Sequence, residues 1–245
     1  MSAPIYIRCR GLEKAFHHKQ VLRGASLEVY AGETLVLLGG SGSGKSVLLK
    51  HLNALLRPDR GDVEIEGTPL GGLDEEALVP VRRRLGMLFQ QGALFDSLTV
   101  GDNVAYALRE HRLLPPDEIP ARVREALAMV DLAGTEPVMP SELSGGMRKR
   151  AALARALVLE PHALLYDEPT TGLDPVVAAR INHLIRDLQH RLGVTSVVVT
   201  HDLASAFFVA DRIAFLHEGR IRFCGTPEEA RATTDPILHE FLTAA

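Results

Sequence analysis

Eight consecutive residues, Gly39-Gly40-Ser41-Gly42-Ser43-Gly44-Lys45-Ser46, carry the spacing G-x-x-x-x-G-K-[ST]. Glycines at 39, 40, 42 and 44 let the backbone turn its N–H groups toward an anion with no Cβ in the way. Lys45 adds a long-reaching positive charge suited to the β- and γ-phosphates of a nucleotide. The Ser46 hydroxyl is a hard oxygen ligand suited to Mg²⁺. An apolar run, Leu35-Val36-Leu37-Leu38, precedes the loop and reads as a buried strand. Residues 47–56 follow it with apolar positions at helical spacing, which turns the positive end of a helix toward the anion. Nucleotide binding is the chemistry this stretch can do; what happens to the nucleotide depends on residues elsewhere.

Three further apolar runs end on residues that could act on a bound nucleotide. Leu85-Gly86-Met87-Leu88-Phe89 leads to Gln90, a candidate for the metal or its water, with an ordinary loop amide as the alternative. Ala163-Leu164-Leu165-Tyr166 leads to Asp167 and Glu168, and a buried strand tolerates terminal acids only where something offsets their charge. Mg²⁺ and a nucleophilic water would do so: Asp167 suits the metal shell, and Glu168 a general base. Ser196-Val197-Val198-Val199-Thr200 leads to His201. Counting the strand that ends at Gly39, four strands deliver polar or phosphate-binding residues to strand ends, and an open α/β sheet binds its ligand at such ends.

Ser144-Gly145-Gly146 is a second candidate anion site, because Ser144 suits an N-cap and two glycines leave bare amides at a helix start. An ordinary capped helix with Met147, Leu153 and Leu157 in the core accounts for the apolar residues but not for the paired glycines. Two anion sites far apart in one chain suggest that one is used in trans. Phe16, near the glycine loop in sequence, is either a ring for a nucleotide base or core; position alone leaves both open. His17-His18 lacks a third ligand at metal spacing and reads as a solvated turn.

These residues need elements to hold them. Alternation over 5–10, 26–29 and 62–66 predicts antiparallel strands beside the nucleotide-binding sheet. Arg82-Arg83-Arg84 reads as an exposed edge before the strand at 85–89. From Thr99, the start of a capping box, to about Glu160 the pattern is helical, with an amphipathic stretch over 120–132. Gln91 to Leu98 forms a loop in which Leu94 and Phe95 are either exposed for a partner or packed inward. Asp174-Pro175 predicts N-cap and N1 of a helix. The runs at 213–216 and 221–223 predict a hairpin closing the sheet, and Thr226-Pro227 opens a last helix before an amphipathic tail that docks on a neighbouring chain or, as we expect, on its own.

With 245 residues, 46% of them hydrophobic, the chain can bury a full core, and we expect one domain over 1–245. A net charge of −4 leaves no electrostatic footprint for nucleic acid or anionic lipid, so polyanion or membrane contact must run through a protein partner. Cys9 and Cys224 lack metal spacing and read as small apolar residues of a reducing compartment, not a disulfide. No stretch approaches a membrane span and no signal pattern opens the chain, which predicts a soluble protein.

In their order, the glycine loop at 39–46, Gln90, Leu143-Ser144-Gly145-Gly146, Asp167-Glu168, Asp174 and His201 resemble the nucleotide-binding domain of an ABC transporter over nearly the whole chain. The resemblance implies an α/β fold: a P-loop NTPase core with a mostly parallel central sheet, an antiparallel β layer and a helical ABC-specific subdomain inserted at about 91–160. It implies ATP and Mg²⁺ as cofactors, with Ser46, Gln90 and Asp167 toward the metal and Glu168, His201 and Gln90 toward hydrolysis. Two subunits would pack head to tail, each ATP lying between one loop and the other subunit's Ser144-Gly145-Gly146. Phe16 would then stack on adenine, His201 would contact the γ-phosphate, and Asp174 would lie at the interface. Met147 stands where many members have Gln, and Val47 where many have Thr, which leaves Val47 only its backbone N–H for the α-phosphate. Residues 44–51, 89–98 and 140–147 are similar to the ATPase of lipid-asymmetry (Mla-type) phospholipid transporters. That subgroup implies a phospholipid cargo, an integral membrane permease, a periplasmic lipid-binding subunit, and a peripheral place on the cytoplasmic side of the inner membrane. The same motifs would serve a motor for amino acids or another solute, or a soluble ABC ATPase outside transport. Relatives of the last kind carry two ATPase domains or long coiled-coil insertions, neither of which this chain shows.

Overall fold

The computed structural model describes residues 3–243. Alternating apolar and polar residues build its first layer, where β1 (Ile5–Phe16) and β2 (Lys19–Tyr30) pair antiparallel around a turn at His17 and His18. Both strands are longer than the alternation suggests. Register shifts along the pair, such as that between Cys9 and Leu12, re-phase the pattern and hide its continuity. The apolar run before the glycine loop is β3 (Thr34–Leu38), buried throughout. Helix α1 (Lys45–Leu52) starts at the end of the loop and stops four residues before the sequence pattern does. Asn53 caps it, Ala54 turns to φ 54, and the Arg82 guanidinium donates to the carbonyls of both.

Next come β4 (Arg60–Ile65), β5 (Thr68–Pro69), α2 (Glu75–Arg83) and β6 (Leu85–Leu88). The three arginines are therefore not a strand edge. Arg82 and Arg83 close α2 and Arg84 is its C-cap. Between β6 and β7 (Ala163–Asp167) stand α3 (Val100–Glu110), α4 (Ile119–Met129), a short 3₁₀ turn and α5 (Gly145–Leu157). The chain then alternates through α6 (Pro175–Leu192), β8 (Thr195–Val199), α7 (Leu203–Val209) and β9 (Arg212–His217), and ends with β10 (Arg220–Gly225), α8 (Pro227–Arg231) and α9 (Pro236–Thr243).

Two sheets result. The antiparallel one runs β2-β1-β4-β5, and the larger runs β10-β9-β3-β8-β7-β6, parallel except for β10. Leu35 and Leu37 of β3 face a core shared with the antiparallel sheet and α1, whereas Val36 and Leu38 face a core shared with the helices. Burial on both faces is why these strands read as continuous apolar runs. The parallel arrangement also places the C-terminal ends of β3, β6, β7 and β8 together. Tail helix α9 docks on its own chain, with Leu238 buried and the Phe241 ring centroid 5.1 Å from that of Phe215. Both cysteines are free; Cys9 is buried, but Cys224 is exposed, contrary to its reading as an apolar residue. Among the described residues no helix is long and apolar enough to cross a membrane.

Candidate functional site

At those four strand ends lies a cleft of about 590 Å³. Loop residues 40–42 and 44–47, Gln90, Glu168 and His201 line it, which brings most of the sequence-predicted residues onto one surface. Gly39 and Ser43 are not on that surface. A Cβ at Gly39 would collide with the Leu216 carbonyl oxygen, so this glycine is required by packing against β9. Gly44 opens α1 at φ 107, left-handed backbone that a side chain rarely adopts. Gly40 has neither constraint: a Cβ there would meet nothing within 4 Å.

Lys45 is buried and its Nζ donates to the carbonyls of Gly39 at 2.7 Å and Gly40 at 3.0 Å. Burial pulls its amine below the ordinary lysine range, while the charges of Glu168 and Asp167 oppose the fall. A polyphosphate entering the cleft would supply a stronger acceptor than the two carbonyls. Ser46 Oγ donates to Asp167 Oδ1 at 2.7 Å, although the two residues are 121 apart in sequence. Hydroxyl and carboxylate are hard oxygen donors of the kind that suits Mg²⁺, and Gln90, which lines the cleft with Ser46, could add an amide oxygen.

Glu168 sits one residue past β7 with φ 51, an uncommon conformation for a side chain, and is buried. Thr171 Oγ1 donates to its Oε2 at 3.0 Å, and His201 Nδ1 lies 3.0 Å from its Oε1. A carboxylate can only accept, so the Nδ1 facing it is the protonated nitrogen. Two donors thus hold the Glu168 carboxylate at the cleft wall, where a water could be aimed.

Other predicted residues lie elsewhere. Phe16 is at the hairpin tip, 41% exposed and off the cleft surface, with Lys14 Nζ 5.7 Å from its ring centroid. Ser144 caps α5, accepting from the Met147 N–H at 3.3 Å, with Ser144 exposed and Gly145 half-buried. The Asp174 carboxylate caps α6 through the N–H groups of Val176 and Val177. None of these lines the cleft of its own chain. Gly146 has a packing reason of its own: a Cβ there would collide with Val177 of α6. The paired glycines therefore need a ligand to explain Gly145 alone. Leu94 packs on the core, whereas Phe95 stays exposed against Tyr106, their centroids 4.8 Å apart.

The sequence reading missed Val21 and Phe241, which also line the cleft. Both arrive through tertiary packing, and no local signal marks them.

The family described as ABC transporter matches residues 22–171, a span that includes the loop, Gln90, Ser144 and the two carboxylates. The chain belongs to this family. As an ABC ATPase it is the ATP-hydrolysing subunit of a transporter. A probable ribonucleotide transport ATP-binding protein of Mycobacterium leprae is 43% identical over 242 residues, covering 99% of this chain and 70% of its own length. The intermembrane phospholipid transport system ATP-binding protein MlaF of Escherichia coli K12 is 42% identical over 217 residues, covering 89% of this chain and 81% of its own. Among solved structures, a dimeric, post-hydrolysis ATP-binding cassette bound to ADP and phosphate matches with a TM-score of 0.82 at 32% identity, covering 90% of this chain and 98% of that one.

Within this ABC ATPase, Met147 is half-buried and its side chain packs against the helical core. Met147→Leu nearly conserves volume and apolarity; it is expected to cost less than about 1.5 kcal/mol and to preserve activity, measured by steady-state ATPase assay and thermal melt.

Proposed function

We propose that this chain is the motor of an inner-membrane phospholipid transporter, acting as a homodimer on the cytoplasmic side and held there by an integral membrane permease. The observation that carries the motor reading is the convergence of the glycine loop, Gln90, Glu168 and His201 on one cleft, with Ser46 bonded to Asp167. In this reading residues 1–245 form one nucleotide-binding domain, with the helices of about 91–160 inserted in it. Ser46, Asp167 and Gln90 hold Mg²⁺, which neutralises phosphate charge when bound. Lys45 and the loop amides bind the phosphates, Glu168 accepts a proton from the attacking water, and His201 meets the γ-phosphate. Ser144, Gly145 and Gly146 complete the partner's site. Asp174 stands at the interface and Phe16 stacks on adenine.

A second subunit is supported by the position of Ser144 and Gly145, which lie off the cleft of their own chain. The exposed Phe95 and Tyr106 pair supplies an apolar landing for a short permease helix beside the Gln90 loop. Likeness to MlaF supports phospholipid as cargo, with a periplasmic lipid-binding subunit beyond the permease. A soluble cargo is the second reading, favoured by the ribonucleotide named for the M. leprae relative.

Pull-down of the chain from detergent-solubilised membranes, with mass spectrometry of proteins and extracted lipid, separates these. A permease with a lipid-binding partner and enriched phospholipid is expected. A permease with a solute-binding protein and no lipid enrichment would replace the cargo; ribosomal or DNA-repair proteins alone would overturn transport. At a net charge of −4, the isolated chain is expected not to co-sediment with anionic liposomes.

A further inference from the structure

Lys149 is buried in α5, and neither of its acceptors is a carboxylate. Its Nζ donates to the backbone carbonyl of Gln90 and, at 3.4 Å, to that of Glu168. Those two carbonyls belong to the residues assigned to the metal shell and to the attacking water. Burial lowers the Lys149 amine from the ordinary lysine range, and the charges of Asp167 and Glu168 oppose that shift. An apolar residue would fill the space without that desolvation penalty, so the amine must be kept for its donors. Farther along the same helix, Arg155 donates to the carbonyls of Ala93 at 2.7 Å and Gly92 at 3.1 Å. Helix α5 therefore grips the segment 90–93 at three carbonyls.

The other end of α5 is Ser144-Gly145-Gly146. Gly146 and Lys149 are about 4.5 Å apart along the axis, at roughly 1.5 Å per residue. A hydrogen-bonded helix cannot shift its N-terminus by a fraction of a turn and leave Lys149 in place. We propose that Lys149 is a positioning residue that ties the cleft's Gln90 and Glu168 to α5, the helix whose N-terminal end meets the partner's nucleotide. This rests on the site reading proposed above. Glu168 sits in left-handed backbone, and its carbonyl accepts from both the Thr171 N–H, at 3.3 Å, and Lys149 Nζ, at 3.4 Å.

The test uses the full chain in a preparation where the wild type hydrolyses ATP. Lys149→Met keeps length and removes the donors; its kcat is expected to fall about 10²-fold, the cost of an ångström-scale misplacement. KM for ATP and the calorimetric Kd for ADP should stay within about twofold, because no phosphate contact is touched. Lys149→Gln, with two N–H donors on a shorter, uncharged stem, should recover at least about tenfold of the lost kcat. Wild-type kcat in Lys149→Met, or Lys149→Gln no better than Lys149→Met, would overturn the proposal, as would a loss of ADP affinity matching the loss of kcat. Inactivity of Glu168→Gln beside an unaffected Lys149→Met overturns this inference alone; full activity in both overturns the site reading beneath it.

Discussion

Glu168→Gln is expected to slow ATP hydrolysis by roughly 10²–10⁴-fold, the range typical of a lost acid–base group, while ATP stays bound. The geometry explains why binding survives. Gln is isosteric with Glu, its Oε1 can still accept from Thr171 Oγ1, and its amide can donate to His201 Nδ1 once the imidazole takes its other tautomer. Both neighbours remain satisfied, so the left-handed turn at Glu168 keeps its anchors. What the amide cannot do is accept a proton from water. Lys45→Ala should fail differently, because it removes the cation from the cradle and weakens phosphate binding itself. A stalled, ATP-filled site should hold two subunits together. Size-exclusion chromatography of Glu168→Gln with Mg-ATP is expected to show a dimer that the wild type loses during turnover. Full ATPase activity in Glu168→Gln would remove Glu168 from its role as base.

How much of this could be read before the structure follows from where each signal resides. Strand-end residues were legible because a buried parallel strand is a short apolar run, and whatever polar or glycine residue ends it stands out: Gly39, Gln90, Asp167 and His201 all share this form. Caps were legible for the same local reason, as at Thr99, Ser144, Asp174 and Thr226, each accepting from an N–H of its helix's first turn. Helix α2 was hidden by Pro80 and by a lone buried residue, Leu78, too little for a helical period. Lys149 carries no local signal; the packing of α5 against β6 and the bonds to the carbonyls of Gln90 and Glu168 show that it points inward. Phe241 reached the cleft by the docking of a tail nearly 200 residues downstream of the glycine loop. The collision between a Cβ at Gly146 and Val177 is likewise a long-range fact, and it corrects a local argument that credited both glycines to an anion.

Ser144→Arg tests the proposed trans role of α5 apart from its ordinary capping. Ser144 Oγ accepts from the Met147 N–H, and losing an N-cap costs about 1 kcal/mol of stability. Ser144→Ala carries that loss alone. It should therefore melt lower yet still close a dimer, because the amides of Gly145 and Gly146 remain. In the proposed dimer, arginine at the same exposed position adds a long side chain where the opposing γ-phosphate would approach those amides. Its positive charge does not compensate, since the guanidinium needs the volume that the phosphate would occupy. Removing preorganised donors from a developing anion typically costs 10²–10³-fold, and Ser144→Arg is expected to lose ATPase activity on about that scale. ADP binding to the isolated chain should be unaffected, because the cleft lined by residues 40–42 and 44–47 is built without Ser144. In the Glu168→Gln background, the double variant should fail to form the Mg-ATP dimer that Glu168→Gln alone forms. Near-normal ATPase in Ser144→Arg, with the dimer intact, would mean that the N-terminus of α5 meets no nucleotide and that the second anion site is only a helix cap.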